Sequence, residues 1–166
     1  VGFGLSEKPD IAYTLGLQAD VVIALCAELG LHRFSMLTHD MGDTVGGEVL
    51  ARHIEGSFDA EIVSRVLTNG SIYIEMAQLT FGQQLLLSLP DERLDLEAAP
   101  TADALAASLL ATLSPETTFA LDELLPHGEF VAFNFGSSLL PRIIRYIEER
   151  RANESRFTGA IEQHPS

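Results

Sequence analysis

The sequence predicts an α/β fold, mostly helical by residue count, with two central parallel strands, flanking helices and a separate helical segment. Three observations lead there. The first is a short apolar run, 34–37, that stops abruptly at Thr38-His39-Asp40-Met41-Gly42, after which Val45, Val49 and Leu50 recur at helical spacing. That pattern reads as strand, tight turn, helix. The second is 62–69, a run rich in β-branched residues that ends in Asn69-Gly70-Ser71, a strand followed by a turn. The third is 72–135, where the pattern turns helical over 76–87, 101–113 and 115–124, with breaks at Leu89-Pro90-Asp91, Pro100 and Pro126-His127-Gly128.

The elements follow in order. Gly2 to Pro9 is turn-rich and reads as a loop. A dinucleotide-binding reading of Gly2 and Gly4 fails, because Glu7 stands where a third glycine is needed and no strand precedes it. Over 17–29, Val21, Val22, Leu25, Cys26 and Leu29 form one helical stripe, and Gly30 closes the helix. Cys26, on that stripe, is expected to be a buried core residue. Strand, turn and helix then succeed one another through Asp40, and the 62–69 strand lies parallel to the first because a helix connects them. Its carboxyl end, and so Asn69, falls near that of the first strand. Beyond the helical segment, 137–151 is expected to be one long amphipathic helix carrying Leu139, Leu140, Ile143, Ile144 and Ile147 on a single face, and 157–161 leads toward a further strand.

Composition excludes several classes. With ten basic against twenty-four acidic residues, the net charge of −14 repels phosphate backbones and anionic lipid heads, so nucleic acid and membrane surfaces are poor partners. One cysteine allows no disulfide framework and no cysteine-rich metal site. No apolar run is long enough to span a bilayer, and a cytoplasmic setting is the default expectation, in which the N-x-S matches at Asn69 and Asn153 carry no meaning. No cofactor and no metal are expected.

Asp40 is the candidate reactive group. A carboxylate at the apex of a strand-turn-helix points away from the sheet, and the positive end of the following helix favours an anion there. The layout is that of a nucleophile elbow, usually G-x-S-x-G. Here Asp40 is the apex residue, Thr38 replaces the first glycine, and Gly42 keeps the second. The run His39-Asp40-Met41-Gly42-Asp43-Thr44-Val45, with Glu48, Leu50, Ala51 and Arg52 after it, resembles the aspartate-nucleophile branch of the α/β-hydrolases, which includes epoxide hydrolases and haloalkane dehalogenases, and within it the mesoderm-specific-transcript-type hydrolases. The opening loop resembles the G-[FY]-G-x-S-x-K-P segment after the fourth strand of these enzymes, and Leu67-Thr68-Asn69-Gly70-Ser71-Ile72 their L-x-N-G-x-[IF] segment.

The resemblance implies a partial α/β-hydrolase fold with a helical lid: 1–71 as part of the core, 72–135 as the lid, and 136–166 as a return helix toward the next core strand. It implies Asp40 as nucleophile, attacking carbon of a small or medium apolar substrate to form an ester that water later cleaves, and the Met41 backbone N–H as an oxyanion donor. His39, Asn69 and Tyr73 are the candidate substrate-pocket residues, and Phe81, Phe130, Phe133 and Phe135 could line an apolar pocket. Met41 replaces the halide-holding tryptophan of dehalogenases, and Phe157-Thr158 stands where an epoxide hydrolase has its later tyrosine. Dehalogenation is thereby disfavoured, and epoxide opening is left open without support. Packing is the expected role of Tyr146.

No histidine is assigned as the water-activating base. His32, His39, His53, His127 and His164 all read as structural or solvated, and both chain ends look cut, so the catalytic histidine and its acid are expected outside this stretch. The chain alone is accordingly expected to be inactive and to self-associate through unpaired strand edges. Two other readings remain: a helix-capping role for Asp40 in a non-catalytic piece, and a metal-dependent phosphohydrolase in which His32, His53 and Asp43 would join the His39-Asp40 doublet.

Overall fold

In the computed structural model, which describes residues 1–164, 54 % of the chain is helical. The chain divides into two compact units, Val1–Ala12 with Gly82–Ile144, and Tyr13–Phe81 with Arg145–Ser166.

The second unit holds the sheet. Helix α1 (Leu15–Glu28) starts at Thr14, whose Oγ1 accepts from the Leu17 N–H, and ends in a Schellman arrangement: Leu31 N–H donates to Cys26 O, and Gly30 N–H to Ala27 O, with Gly30 at φ +64°. Strand β1 (Arg33–His39) leads through Asp40 into helix α2 (Met41–Ile54), and strand β2 (Glu61–Thr68) returns parallel to β1, from Arg33↔Glu61 to His39↔Thr68, with a bulge between Phe34 and Ser35. Two parallel strands joined by a helix form one βαβ unit. Helix α2 approaches the sheet closely at Gly46, where an added Cβ would sit 2.9 Å from Thr38 Cγ2. Against α2 packs α8 (Glu154–Gln163), with Phe157 seated over Gly47. The core of this unit is Leu15, Ala19, Val49, Leu50, Ile62, Ile147 and Phe157. Arg156 ties α8 to Glu48 of α2 and to Glu55 just after it, and Arg52 ties α2 to Asp20 of α1.

Several expectations are corrected here. The α1 stripe is not a buried face: Cys26 is buried, whereas Leu25 and Leu29 are 56 % and 61 % exposed and Val21 and Val22 more than a third. Helical periodicity reports that a face is apolar, and what covers it is a tertiary matter. Leu37 and Val66 of the strands are likewise exposed. The run 137–151 is not one helix. A 3₁₀ stretch (Phe133–Leu139), α6 (Leu140–Ile143) and α7 (Tyr146–Ala152) replace it. Asn134 and Phe135 lie in the left-handed region, and Pro141 has no N–H with which to continue a preceding turn. Leu139, Ile143, Ile144 and Ile147 are nonetheless buried. The segment 157–161, expected to approach a strand, is the interior of α8. The last two residues of the expected 136–166 segment lie outside the described residues.

The other unit is helical. It contains α3 from Gly82 on (α3 spans Phe81–Ser88), α4 (Ala102–Leu110) and α5 (Leu121–Ala132). The expected helix over 76–87 splits into a 3₁₀ turn (Ile74–Met76) and α3, and that over 115–124 starts only at Leu121, where the Glu123 carboxylate accepts from the Ala120 N–H at 2.8 Å. Pro126-His127-Gly128 does not break the helix, since α5 runs through it. Gly128 explains how: a Cβ there would meet Ala102 O at 2.1 Å, so α5 is clamped backbone to backbone on α4. Such packing outweighs the roughly 3 kcal/mol that an interior proline costs. The opening loop is fastened by Lys8, whose buried ammonium donates to Gly4 O (2.7 Å) and Ser6 O (3.0 Å) and lies 5.4 Å above the Phe133 ring; burial lowers its pKa.

Candidate functional site

Asp40 sits between the end of β1 and the first residue of α2, at φ 50°, ψ −125°. That backbone geometry is the first central position of a type II′ turn, which glycine prefers, and a non-glycine residue held there is strained. Its backbone N–H donates to Thr68 O at 3.0 Å and its carbonyl accepts from the Asp43 N–H at 2.9 Å, so the apex is fixed from both sides. The side chain is exposed and makes no capping bond to the helix it precedes. A capping role is thereby ruled out as the reason for an aspartate at this position. The carboxylate is held instead by Tyr146, whose hydroxyl donates to Oδ1 at 3.1 Å.

Tyr146 is the residue that the sequence did not disclose. It is buried as expected, but it also reaches across 106 positions of sequence to the elbow. Behind it lies Arg150, one turn further along α7, with its guanidinium 5.6 Å from the ring centroid and Nη1 donating to Gly70 O at 2.7 Å. Arg150 is 3 % exposed. Burial lowers its pKa, opposed by Tyr146 and Asp40.

Under the elbow is a second, buried carboxylate. Asp43 accepts the Thr38 hydroxyl on Oδ1, with the Thr68 N–H at 3.4 Å from the same atom, and its backbone carbonyl accepts from Arg65 Nη2. Burial pushes the Arg65 guanidinium down to about 10, with Asp43 pulling the other way. Gly70 lies so close that a Cβ would meet the Asp43 Cβ at 2.1 Å. Asn69 and Ser71 on either side adopt positive φ of 60° and 47°.

The remaining candidates are distributed over two hollows. His39 and Met41, with Val21, Val22, Leu37 and Val45, line an apolar groove of about 520 Å³ on the α1 side of β1. Asn69 and Tyr73 line a cavity of about 350 Å³ with Asp43, Leu67, Met76 and Ile161. The structure therefore does not gather His39, Asn69 and Tyr73 in one hollow. The Met41 N–H, as the first helical donor beside Asp40, has no partner within the helix. Phe81, Phe130, Phe133 and Phe135 are all half exposed or more, so they are not core residues.

For metal chemistry the geometry is unsuited. The His39-Asp40 doublet straddles a strand end and a helix start rather than lying within a helix, Asp43 is taken up by Thr38 and Thr68, and the His53 ring faces Phe58 O. Among the described residues no group of three histidine, cysteine or carboxylate side chains could hold an ion. No described helix is long and apolar enough to cross a membrane.

The site and fold define a βαβ unit with a strained acidic elbow. Two sets of known proteins are similar to it in sequence. "Putative hydrolase LipZ" of Mycobacterium tuberculosis is 31 % identical over 99 % of this chain and 57 % of its own length. The mesoderm-specific transcript homolog proteins of Bos taurus and Homo sapiens are 31 % and 30 % identical over 97 % of the chain and 49 % of theirs. The chain thus spans about half the length of the curated relatives it matches. No protein-family model matches it.

Proposed function

We propose that the protein carrying this chain is a hydrolase of the α/β-hydrolase type and that Asp40 is its nucleophile. The observation that carries this is the Asp40 backbone at φ 50°, ψ −125° with its carboxylate exposed and unused as a cap. Strain of about 1–3 kcal/mol persists where function or surrounding structure demands it, and a glycine would have relieved it here. The likeness to a protein named as a hydrolase supports the same reading.

In the proposed reaction an Asp40 carboxylate oxygen forms a bond to a substrate carbon as the bond from that carbon to its leaving group breaks, giving an alkyl ester. Tyr146 holds Oδ1, which leaves Oδ2 to attack. Water then adds to the ester carbonyl, the oxyanion is met by the Met41 N–H, and collapse returns the carboxylate and releases the alcohol. The second step needs a base. No histidine of this stretch is assigned that role, so this chain is expected to form the ester without turning it over. The substrate proposed is a small or medium apolar molecule, and the 72–135 segment is proposed to be a lid over it.

The test is to treat the chain with a panel of small epoxides and alkyl halides and follow intact mass. A stable adduct that maps to the Asp40 peptide and vanishes in Asp40→Asn is expected. Adducts elsewhere, or none with any class, would return Asp40 to a structural role.

A further inference from the structure

Arg150 is a buried cation with no carboxylate hydrogen-bonded to it among the described residues. Its hydrogen bond goes to a neutral carbonyl, Gly70 O, and its Nε has no hydrogen-bond partner among the described residues. Taking a guanidinium out of water costs several kcal/mol unless opposite charge compensates it. Two carboxylates act on it, those of Asp40 and Glu154, and Arg151 opposes them. Glu154 is already engaged by the Ile74 N–H at 2.8 Å. What remains is the line Arg150, Tyr146 ring, Asp40, in which the cation lies against the ring of the phenol that donates to the elbow carboxylate.

We propose that Arg150 is the positioning residue of this site: stacked on the Tyr146 ring and tied to the Gly70 carbonyl, it fixes the phenol O–H on Asp40 and supplies the positive charge that polarises that O–H. The inference rests on the reading of Asp40 as the reactive carboxylate. It assigns the charge to a group that touches neither substrate nor Asp40, and it makes the β2 turn, through Gly70, part of the device that orients the nucleophile. The guanidinium suits both tasks, because its planar face stacks on an aromatic ring while an edge N–H donates in plane. An ammonium could supply the charge but not the stack.

The chain has three tyrosines, Tyr13, Tyr73 and Tyr146, and no tryptophan, so phenol ionisation can be followed by absorbance at low protein concentration. The experiment replaces tyrosine with 3-fluorotyrosine, whose phenol ionises at lower pH, and assigns the Tyr146 transition as the one missing from Tyr146→Phe. The charged groups acting within this cluster are Asp40, Arg150, Arg151 and Glu154. Removing the nearest cation disfavours the phenolate, so Arg150→Met is expected to raise the Tyr146 midpoint by roughly one pH unit, a tenfold change in its ionisation constant. Arg150→Lys, which keeps the charge, is expected to restore most of that shift. An unmoved midpoint in Arg150→Met, or equal shifts in both variants, would overturn the proposal. Should Arg150→Met fail to fold, Arg150→Lys decides: a midpoint close to the parent's supports the proposal and one raised by a full unit overturns it. The titration uses no substrate, so it is independent of ester formation. An Asp40 adduct with a failed titration removes only the role of Arg150, and the converse removes only the nucleophile.

Discussion

The two strands leave the sheet at the same end through two strained turns, and those turns are put to opposite uses. At the end of β1, Asp40 takes a glycine-like conformation and presents its carboxylate to solvent. At the end of β2, Asn69 and Ser71 also have positive φ, but between them Gly70 is pressed on Asp43 and its carbonyl is held by buried Arg150. One turn holds a carboxylate outward; the other packs its glycine inward on Asp43. Strain alone therefore does not mark a functional residue. Asn69 is exposed as Asp40 is, so the turns differ in what they carry: a carboxylate at one, and at the other an amide beside the buried, tightly packed Gly70.

The largest expected effect sharpens that contrast at the second turn. Gly70→Ala places a methyl 2.1 Å from the Asp43 Cβ and 2.3 Å from its Oδ2, and should destabilise the chain by about 3 kcal/mol in a denaturant titration. Gly42→Ala, at the elbow, meets nothing within 4 Å and should be neutral or gain about 0.5 kcal/mol from helix propensity. Similar losses at both would show the two turns to be equally packed and erase the comparison.

Next comes the elbow itself. Asp40→Gly relieves the backbone but removes the Tyr146 hydrogen bond and one of the two carboxylates acting on buried Arg150, and the balance should leave stability within about 1 kcal/mol of the parent while abolishing any adduct. A clear loss of stability would mean that Asp40 is there for the fold. Reactivity lost at unchanged stability is the signature of a residue kept for chemistry.

The smallest effect concerns how α2, which both turns abut, is anchored. Burial raises the Glu48 pKa, but the Arg156 and Arg52 N–H donors outweigh it, and the net shift is downward from 4.5. A carboxylate with a lowered folded pKa contributes stability that is present above its unfolded value and is lost as pH falls through the folded one. Thermal melts from pH 6 downward should therefore lose stability below about pH 4.5, and Glu48→Gln should flatten that limb. An identical acid limb in the variant would place the effect in other carboxylates.

From sequence alone, the unit 33–70 was legible: β1 and β2 stand within two residues of the expected runs, and the turn at Asp40 is followed by the expected helix, because apolar runs, helical periodicity and Gly/Asn turn chemistry are local signals. The position of Asp40 at the apex came with them. What only the tertiary structure decided lies further along the chain. Whether the α1 stripe is covered, whether α5 survives Pro126, and whether 137–151 is one helix or three pieces all depend on what packs against them, which no short window of sequence contains. The partners of Asp40 belong to the same class. Tyr146 read as a packing residue because a phenol on an amphipathic segment does pack, and the 106 residues separating it from Asp40 hide the hydroxyl's destination. The burial of Arg150 is hidden for the same reason: charge in sequence suggests water, and only the fold can bury a guanidinium and give it a ring and a carbonyl in exchange.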